Sequence, residues 1–102
     1  MKTAIVTGSG TGIGRAIAKR LARDRFAVAL ADQDVAAAGS AAREIEAGGG
    51  AAFPVAVDVS DSSSVSRMAS AVLARYGSID ALVNNAGITR DGLFLRMDDA
   101  DF

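Results

Sequence analysis

Four glycines stand within eight residues of the sequence, in TGSGTGIG at positions 7–14. An apolar run at 4–6 precedes them, and apolar residues at four-residue spacing (13, 17, 21) follow, which places the glycines between a strand and a helix. The first amides of a helix have no partner within the helix and carry about half a unit of positive charge. A turn without side chains would let a pyrophosphate reach those amides, so the pattern predicts an anion-binding loop.

Within this loop Gly8 would permit the tight turn, Gly12 the close approach of the phosphates, and Gly14 the packing of helix against strand. The loop's other candidate cofactor-binding residues are Gly10, Thr11 and Ile13. The spacing is T-G-x-x-x-G-x-G rather than G-x-G-x-x-G, and the glycines alone would also fit a flexible connection between strand and helix.

Asp32 stands 18 positions after Gly14, at the end of a second apolar run at 26–32. A carboxylate there can accept hydrogen bonds from the 2′ and 3′ hydroxyls of a ribose; the alternatives are a solvated strand end or a helix cap. A 2′-phosphate about 4 Å away would be repelled by up to about 4 kcal/mol per charge pair. Since Thr11 and Gln33 supply no compensating cation, the sequence predicts NAD in preference to NADP.

The elements that would position these residues follow from alternating hydrophobic periods. Strands are expected at 3–7, 26–32, 51–58 and 79–84, with helices between them that start near Ile13, before Ala38 and after Asp61. This alternation predicts an α/β fold, a Rossmann-like doubly wound parallel sheet that is partial, with four strands in the order 3-2-1-4. Pro54 cannot donate a ladder hydrogen bond, so its strand should lie at an edge.

Composition excludes several kinds of chemistry. The 102 residues contain no cysteine and no histidine, which excludes thiolate catalysis, histidine acid–base catalysis and the usual zinc ligand sets. The 11 basic and 12 acidic residues are scattered, so no nucleic-acid partner is expected. No apolar run is long enough for a membrane span, and the first residues do not form a signal peptide. We therefore expect a cytoplasmic location and no membrane partner.

Three motifs make the chain resemble the short-chain dehydrogenase/reductase family: TGxxxGIG at 7–14, DVSD at 58–61 and NNAG at 84–87. The resemblance extends over essentially the whole chain. The segment NNAGITRDGLFLRM at 84–97 is most similar to the β-ketoacyl carrier-protein reductases and the acetoacetyl-CoA reductases.

The resemblance implies further contacts to a dinucleotide. Asp58 would bind the adenine amino group and the Val59 N–H an adenine ring nitrogen, whereas Asn85, Ala86 and Gly87 would lie along a ribose. Asp58 could instead cap the helix that begins near Asp61, and 85–87 could be a plain turn. Asn84 is expected to brace the central strands.

The family's reaction is hydride transfer, and the resemblance implies a Tyr-x-x-x-Lys pair, with Ser and Asn, as its catalytic group. The sole tyrosine is Tyr76, which lies on an apolar helix stripe and is followed four residues later by Asp80, a carboxylate that would raise its pKa. Tyr76 is thus expected in the core, and no catalytic residue is assigned. The acidic cluster Asp98, Asp99 and Asp101 fits a solvated helix start, and no metal site is predicted.

Residues 1–102 are therefore expected to be the dinucleotide-binding, N-terminal part of a short-chain dehydrogenase/reductase domain without its catalytic half, inactive alone. The parent enzyme would interconvert a carbonyl and a secondary alcohol, with a 3-oxoacyl thioester as the expected substrate. A stand-alone nucleotide-binding module that self-associates, and a remnant without ligand, are the alternatives. An unpaired edge at the fourth strand and the apolar segment 92–102 predict a homo-oligomer.

Overall fold

The computed structural model describes residues 1–85 and the backbone of a strand at 93–96. Strands and helices alternate as the hydrophobic periods predict. In chain order the elements are β1 (Thr3–Thr7), α1 (Gly12–Arg23), β2 (Ala27–Asp32), α2 (Val35–Ala47), β3 (Ala51–Ala56), α3 (Ser62–Tyr76), β4 (Ala81–Asn84) and β5 (Leu93–Arg96).

The strands form one sheet in the order β3-β2-β1-β4-β5. The first four are parallel, which confirms the α/β fold and the order 3-2-1-4, and β3 with Pro54 lies at an edge as predicted. The expectation that β4 is an unpaired edge is wrong, because β5 pairs with it in the antiparallel direction, Leu82 opposite Leu95. The short apolar run at 93–95 does not distinguish strand from helix by its period, and pairing as a strand satisfies backbone groups of β4.

Helices cover both faces of the sheet. Successive residues of a strand point to opposite faces, so Val6 packs with side chains of α1 and α2, and Ile5 packs with side chains of α3. Both residues are fully buried. Two-sided burial explains why β1 and β2 are almost continuously apolar, and it leaves the polar residues of the sheet at its two ends.

The helix starts gather at the carboxyl ends of the parallel strands. Asp61 caps α3 by accepting hydrogen bonds from the amides of Ser63 at 2.9 Å and Ser64 at 3.4 Å, and Gly77 ends that helix in the left-handed conformation (φ 83°). By contrast, the N-cap residue of α1, Thr11, makes no side-chain bond to the helix. The first amides of α1 are therefore left for another acceptor.

Candidate functional site

A cleft of about 550 Å³ opens at the carboxyl edge of the sheet, over the ends of β1, β2 and β4 and the segment after β3. It brings together residues that are far apart in the sequence. Its lining consists of Gly8, Thr11, Asp32, Gln33, Val57, Asp58, Val59, Ser60 and Asn85. The sequence analysis assigned no binding role to Gln33, Val57 or Ser60, although their positions beside Asp32 and Asp58 were an available signal.

The glycine loop enters α1 through two left-handed residues, Gly8 (φ 64°) and Gly12 (φ 60°). A β-carbon added at Gly12 would meet no atom within 4 Å, so the space beside this residue is open. The first loop-to-helix amide bond runs from the Arg15 N–H to the Thr11 oxygen at 3.3 Å. The amides of residues 12–14 precede that bond and form a set of donors at the helix start.

Gly14 closes the other side of the loop by packing. A β-carbon at this position would lie 2.1 Å from the Gly8 oxygen and 2.8 Å from Asn85 Nδ2. The close approach is thus between the first turn of α1 and the turn that follows β1, with Asn85 against both. Only a residue without a side chain fits there.

Gly10, unlike Gly12, is closely surrounded by other residues. Its N–H donates to Asp32 Oδ2 at 2.9 Å, and its carbonyl accepts from Arg15 Nη1 at 3.1 Å. A β-carbon here would lie 2.7 Å from that of Ala37 on α2. The sequence placed Gly10 in the loop without a separate role, and the structure gives it one in packing; Arg15 was missed.

Asp32 projects from the end of β2 and is half-buried. While Oδ2 binds Gly10, Oδ1 accepts the Asp34 N–H at 3.0 Å, so both carboxylate oxygens are oriented by backbone amides. Asp32 takes part in none of the ion pairs found within residues 1–85. Its negative charge therefore faces the cleft without a cationic side chain to neutralise it.

Asp58 carries a second negative charge into the cleft. The Ser60 hydroxyl donates to Asp58 Oδ1 at 2.6 Å and the Ser60 N–H at 3.0 Å, and these bonds lower the pKa of the Asp58 carboxyl. The alternative that Asp58 caps α3 is wrong, because the Asp61 side chain does so. Val59 is 37% exposed beside it.

The end of β4 is tied to the glycine turn. Thr7 Oγ1 accepts the Asn85 N–H at 2.9 Å and lies 3.1 Å from Asn84 Oδ1, and Asn85 Nδ2 donates to the Gly8 oxygen at 3.3 Å. Asn84 thus braces two central strands, and Asn85 both lines the cleft and supports its floor. Ala86 and Gly87 lie outside the described residues.

Tyr76 is the last residue of α3. Because α3 starts at the carboxyl edge of the sheet and runs back to its amino edge, Tyr76 lies at the opposite end of the sheet from the cleft. Its ring packs edge-on against Phe53, with 5.4 Å between centroids. Burial raises the pKa of the Tyr76 hydroxyl; the sequence argument that Asp80 does so is wrong, because Asp80 instead accepts the Thr3 N–H at 2.8 Å. Tyr76 is a packing residue here.

Two kinds of feature are absent from residues 1–85 and 93–96. No cluster of three or more metal-ligating side chains occurs in that part of the chain. No helix there has the length and hydropathy needed to cross a membrane. The acidic residues Asp98, Asp99 and Asp101 lie outside the described residues.

Known proteins are similar to this chain in sequence and in fold. The family model described as short chain dehydrogenase matches residues 2–102. A 3-oxoacyl-[acyl-carrier-protein] reductase of Staphylococcus aureus is 41% identical over 104 aligned positions, which cover 99% of this chain and 42% of the reductase. A sorbitol dehydrogenase of Cereibacter sphaeroides is 48% identical over 87 positions, 85% of this chain and 33% of that enzyme.

Solved structures give the same result. A hydroxysteroid dehydrogenase from Escherichia coli superposes with a TM-score of 0.83 at 38% identity, over 85% of this chain and 37% of that one. A metagenomic short-chain oxidoreductase in complex with NADP gives 0.80 at 44% identity, over 85% and 39%. The chain thus spans about two fifths of the length of such relatives. With its sequence matched from residue 2 to 102, the chain belongs to the short chain dehydrogenase family.

Proposed function

We propose that residues 1–102 are the NAD-binding part of an oxidoreductase that interconverts a carbonyl and a secondary alcohol, with a 3-oxoacyl thioester as substrate. The observation that carries the proposal is the meeting of the glycine turn, through Gly8 and Thr11 at the start of α1, and the Asp32 carboxylate at one cleft. The S. aureus relative, named as a 3-oxoacyl-[acyl-carrier-protein] reductase, supports the substrate class.

The residues of the cleft, together with the adjacent start of α1, would contact four parts of a dinucleotide. The amides at 12–14 offer donors to a diphosphate, and the open space at Gly12 would admit it. Asp32 would accept hydrogen bonds from the adjacent ribose hydroxyls, and Asp58 with the Val59 N–H would bind the adenine. When bound, NAD supplies the hydride acceptor or donor of the reaction, and these residues bind and orient it. Asn85, Ala86 and Gly87 are proposed to lie along the second ribose.

Asp32 should favour NAD over NADP. A 2′-phosphate about 4 Å from the carboxylate would be repelled by about 1 kcal/mol in bulk water and about 4 kcal/mol at an effective dielectric constant of 20. Because each 1.4 kcal/mol is a factor of ten, the preference is between about fivefold and several hundredfold. No cationic side chain among residues 1–85 pairs with Asp32 to reduce it.

Calorimetric titration of the chain with NADH and NADPH tests this proposal. We expect NADH to bind more tightly than NADPH. In Asp32→Ala the affinity for NADH should fall, and the difference in affinity between NADH and NADPH should become smaller. Absence of binding by either coenzyme to folded protein would refute the cofactor site. Equal or tighter binding of NADPH would refute the preference alone.

The catalytic role is tested separately. Residues 1–102 contain no Tyr-x-x-x-Lys sequence, so we propose that this chain binds the coenzyme but does not transfer hydride by itself. Incubation with NADH and an acetoacetyl thioester, followed at 340 nm, should give no consumption. Consumption at a rate above that of a no-protein control would contradict this assignment.

We also propose that the chain self-associates in the cytoplasm. Among the strands of the described residues, β5 is the outermost on its side of the sheet, and an edge strand offers backbone groups for pairing with a second copy. Sedimentation velocity over a range of concentrations should give a species heavier than the monomer. A single monomeric species at all concentrations would contradict the proposal.

A further inference from the structure

Both backbone groups of Gly10 are held by side chains. Asp32 Oδ2 accepts its N–H at 2.9 Å, and Arg15 Nη1 donates to its carbonyl at 3.1 Å. Gly10 is two residues before Gly12, where the donors of α1 begin. The direction of the chain into the helix start therefore depends on these two contacts.

The guanidinium of Arg15 is fixed by a neighbouring helix. Its second terminal nitrogen, Nη2, pairs with Glu44 Oε2 on α2, and Lys19 Nζ pairs with the other oxygen of the same carboxylate. The Arg15 side chain is 25% exposed and that of Lys19 40%. Lys19 thus shares the α1–α2 ion pair, whereas Arg15 also reaches the loop.

We propose that Arg15, held in place by Glu44, is a positioning residue for the diphosphate of the coenzyme; this inference rests on the function proposed above. The guanidinium donates to the Gly10 carbonyl and so offsets the partial negative charge that this oxygen would present to the diphosphate. The same bond fixes the loop, so that the amides at 12–14 point toward one diphosphate site. Neither Arg15 nor Glu44 is among the cleft-lining residues, so the effect passes through the loop.

A substitution at Glu44 distinguishes positioning from simple electrostatics, because the two explanations predict opposite changes in NAD⁺ affinity. If charge alone mattered, Glu44→Gln would remove a negative charge and tighten the binding of an anionic dinucleotide. If Glu44 orients Arg15, the same substitution loosens the guanidinium and weakens binding. Lys19→Gln and Arg15→Gln each remove one positive charge from α1, so they form a matched pair in which only Arg15→Gln loses the loop contact.

The experiment is calorimetric titration of the full chain and its three variants with NAD⁺, with folding checked by circular dichroism. A charge-assisted hydrogen bond is lost in Arg15→Gln, and we expect affinity to fall about tenfold. Glu44→Gln should fall by about threefold and Lys19→Gln by less than about twofold. Adenosine, which has no diphosphate, should bind all four proteins equally in an NMR titration.

Several results would overturn the inference: equal losses in Arg15→Gln and Lys19→Gln, tighter binding by Glu44→Gln, or adenosine affinity that falls in parallel with that for NAD⁺. Glu44→Gln keeps the shape of the side chain, so it decides the matter even where Arg15→Gln does not fold. If the unaltered chain fails to bind NAD⁺, the proposed function fails first and this inference with it. If it binds and the variants do not differ, the inference alone fails.

Discussion

Gly14→Ala tests how tightly α1 is set against the glycine turn. The added β-carbon would lie 2.1 Å from the Gly8 oxygen and 2.8 Å from Asn85 Nδ2, below the 3.0 Å that β-carbons essentially never cross. The helix and the turn must therefore separate by at least 0.9 Å, the difference between 3.0 and 2.1 Å. The obstacle at 2.1 Å is backbone, which cannot rotate away as a flexible side chain can.

The magnitude follows from two opposing terms. Overpacking typically costs about 1–3 kcal/mol, and a backbone obstacle places this variant at the upper end. Alanine offsets about 1 kcal/mol of that through its better helix propensity. The net loss is about 2 kcal/mol, and at about 4–8 °C per kcal/mol for a domain of this size the Tm should fall by about 8–16 °C.

Gly39→Ala is the matched control, because Gly39 also lies within a helix. A β-carbon there would be 3.6 Å from Arg43 Nη1 and 4.0 Å from Pro54 Cγ, which is ordinary contact. This variant should gain up to about 1 kcal/mol from helix propensity. Thermal and urea unfolding followed by circular dichroism would measure both variants. Shifts in the same direction, or a Gly14→Ala protein as stable as the unaltered chain, would refute the packing argument.

Three further predictions concern the glycine turn, the end of β1 and the N-cap of α3. Gly12→Ala should lower the free energy of unfolding by about 1–2 kcal/mol, because Gly12 has a left-handed backbone, and it should weaken NAD⁺ binding in calorimetry. Gly12→Asn should also weaken NAD⁺ binding but with a smaller loss of stability. Unchanged NAD⁺ affinity in both variants would contradict the proposed site. Thr7→Val removes the acceptor of the Asn85 N–H and should cost about 1–3 kcal/mol in urea unfolding, and Thr7→Ser should recover most of it. Hydrogen bonds from Ser63 lower the pKa of Asp61 in the folded chain, so the stabilisation by this carboxylate is present above the unfolded pKa of 3.8 and is lost as the pH falls through the lower folded pKa. The free energy of unfolding of Asp61→Asn should therefore fall less steeply with acid than that of the unaltered chain. Equal pH dependence in the two proteins would contradict this role of Asp61.

Much of the fold could be predicted from the sequence, because burial gives each strand and helix its own spacing of apolar residues. The apolar runs of β1 and β2 must be buried on both faces. The four-residue spacing of Ile13, Ile17 and Leu21, with alanines between them, favours a helix, although Ile13 itself is 73% exposed. Once the strands are parallel, their carboxyl ends share one edge of the sheet. That is why the sequence alone predicts that Gly8, Asp32 and Asp58 lie together, as they do at the cleft.

The details that the sequence did not reveal depend on distances between elements. Nothing local to Gly10 indicates that α2 passes 2.7 Å from its would-be β-carbon, and nothing local to Arg15 indicates Glu44, 29 residues away, as its partner. The strand β5 was missed for a different reason, since four residues are too few for a period to decide between helix and strand. Spacing along the chain predicts elements, and contacts between elements require the packed structure.

Pro54 lies in the middle of the outer strand β3, opposite Leu30 of β2, and it bears on the form that the proposed self-association would take. If the β5 edge of one copy met the β3 edge of the next, every addition would leave the same two edges open, and the product would be an endless filament. Because proline has no amide hydrogen, it removes one of the donors that such head-to-tail growth needs. Pairing between two β5 edges about a twofold axis has no such obstacle and is complete after two copies, so the proline favours a closed pair over a fibre.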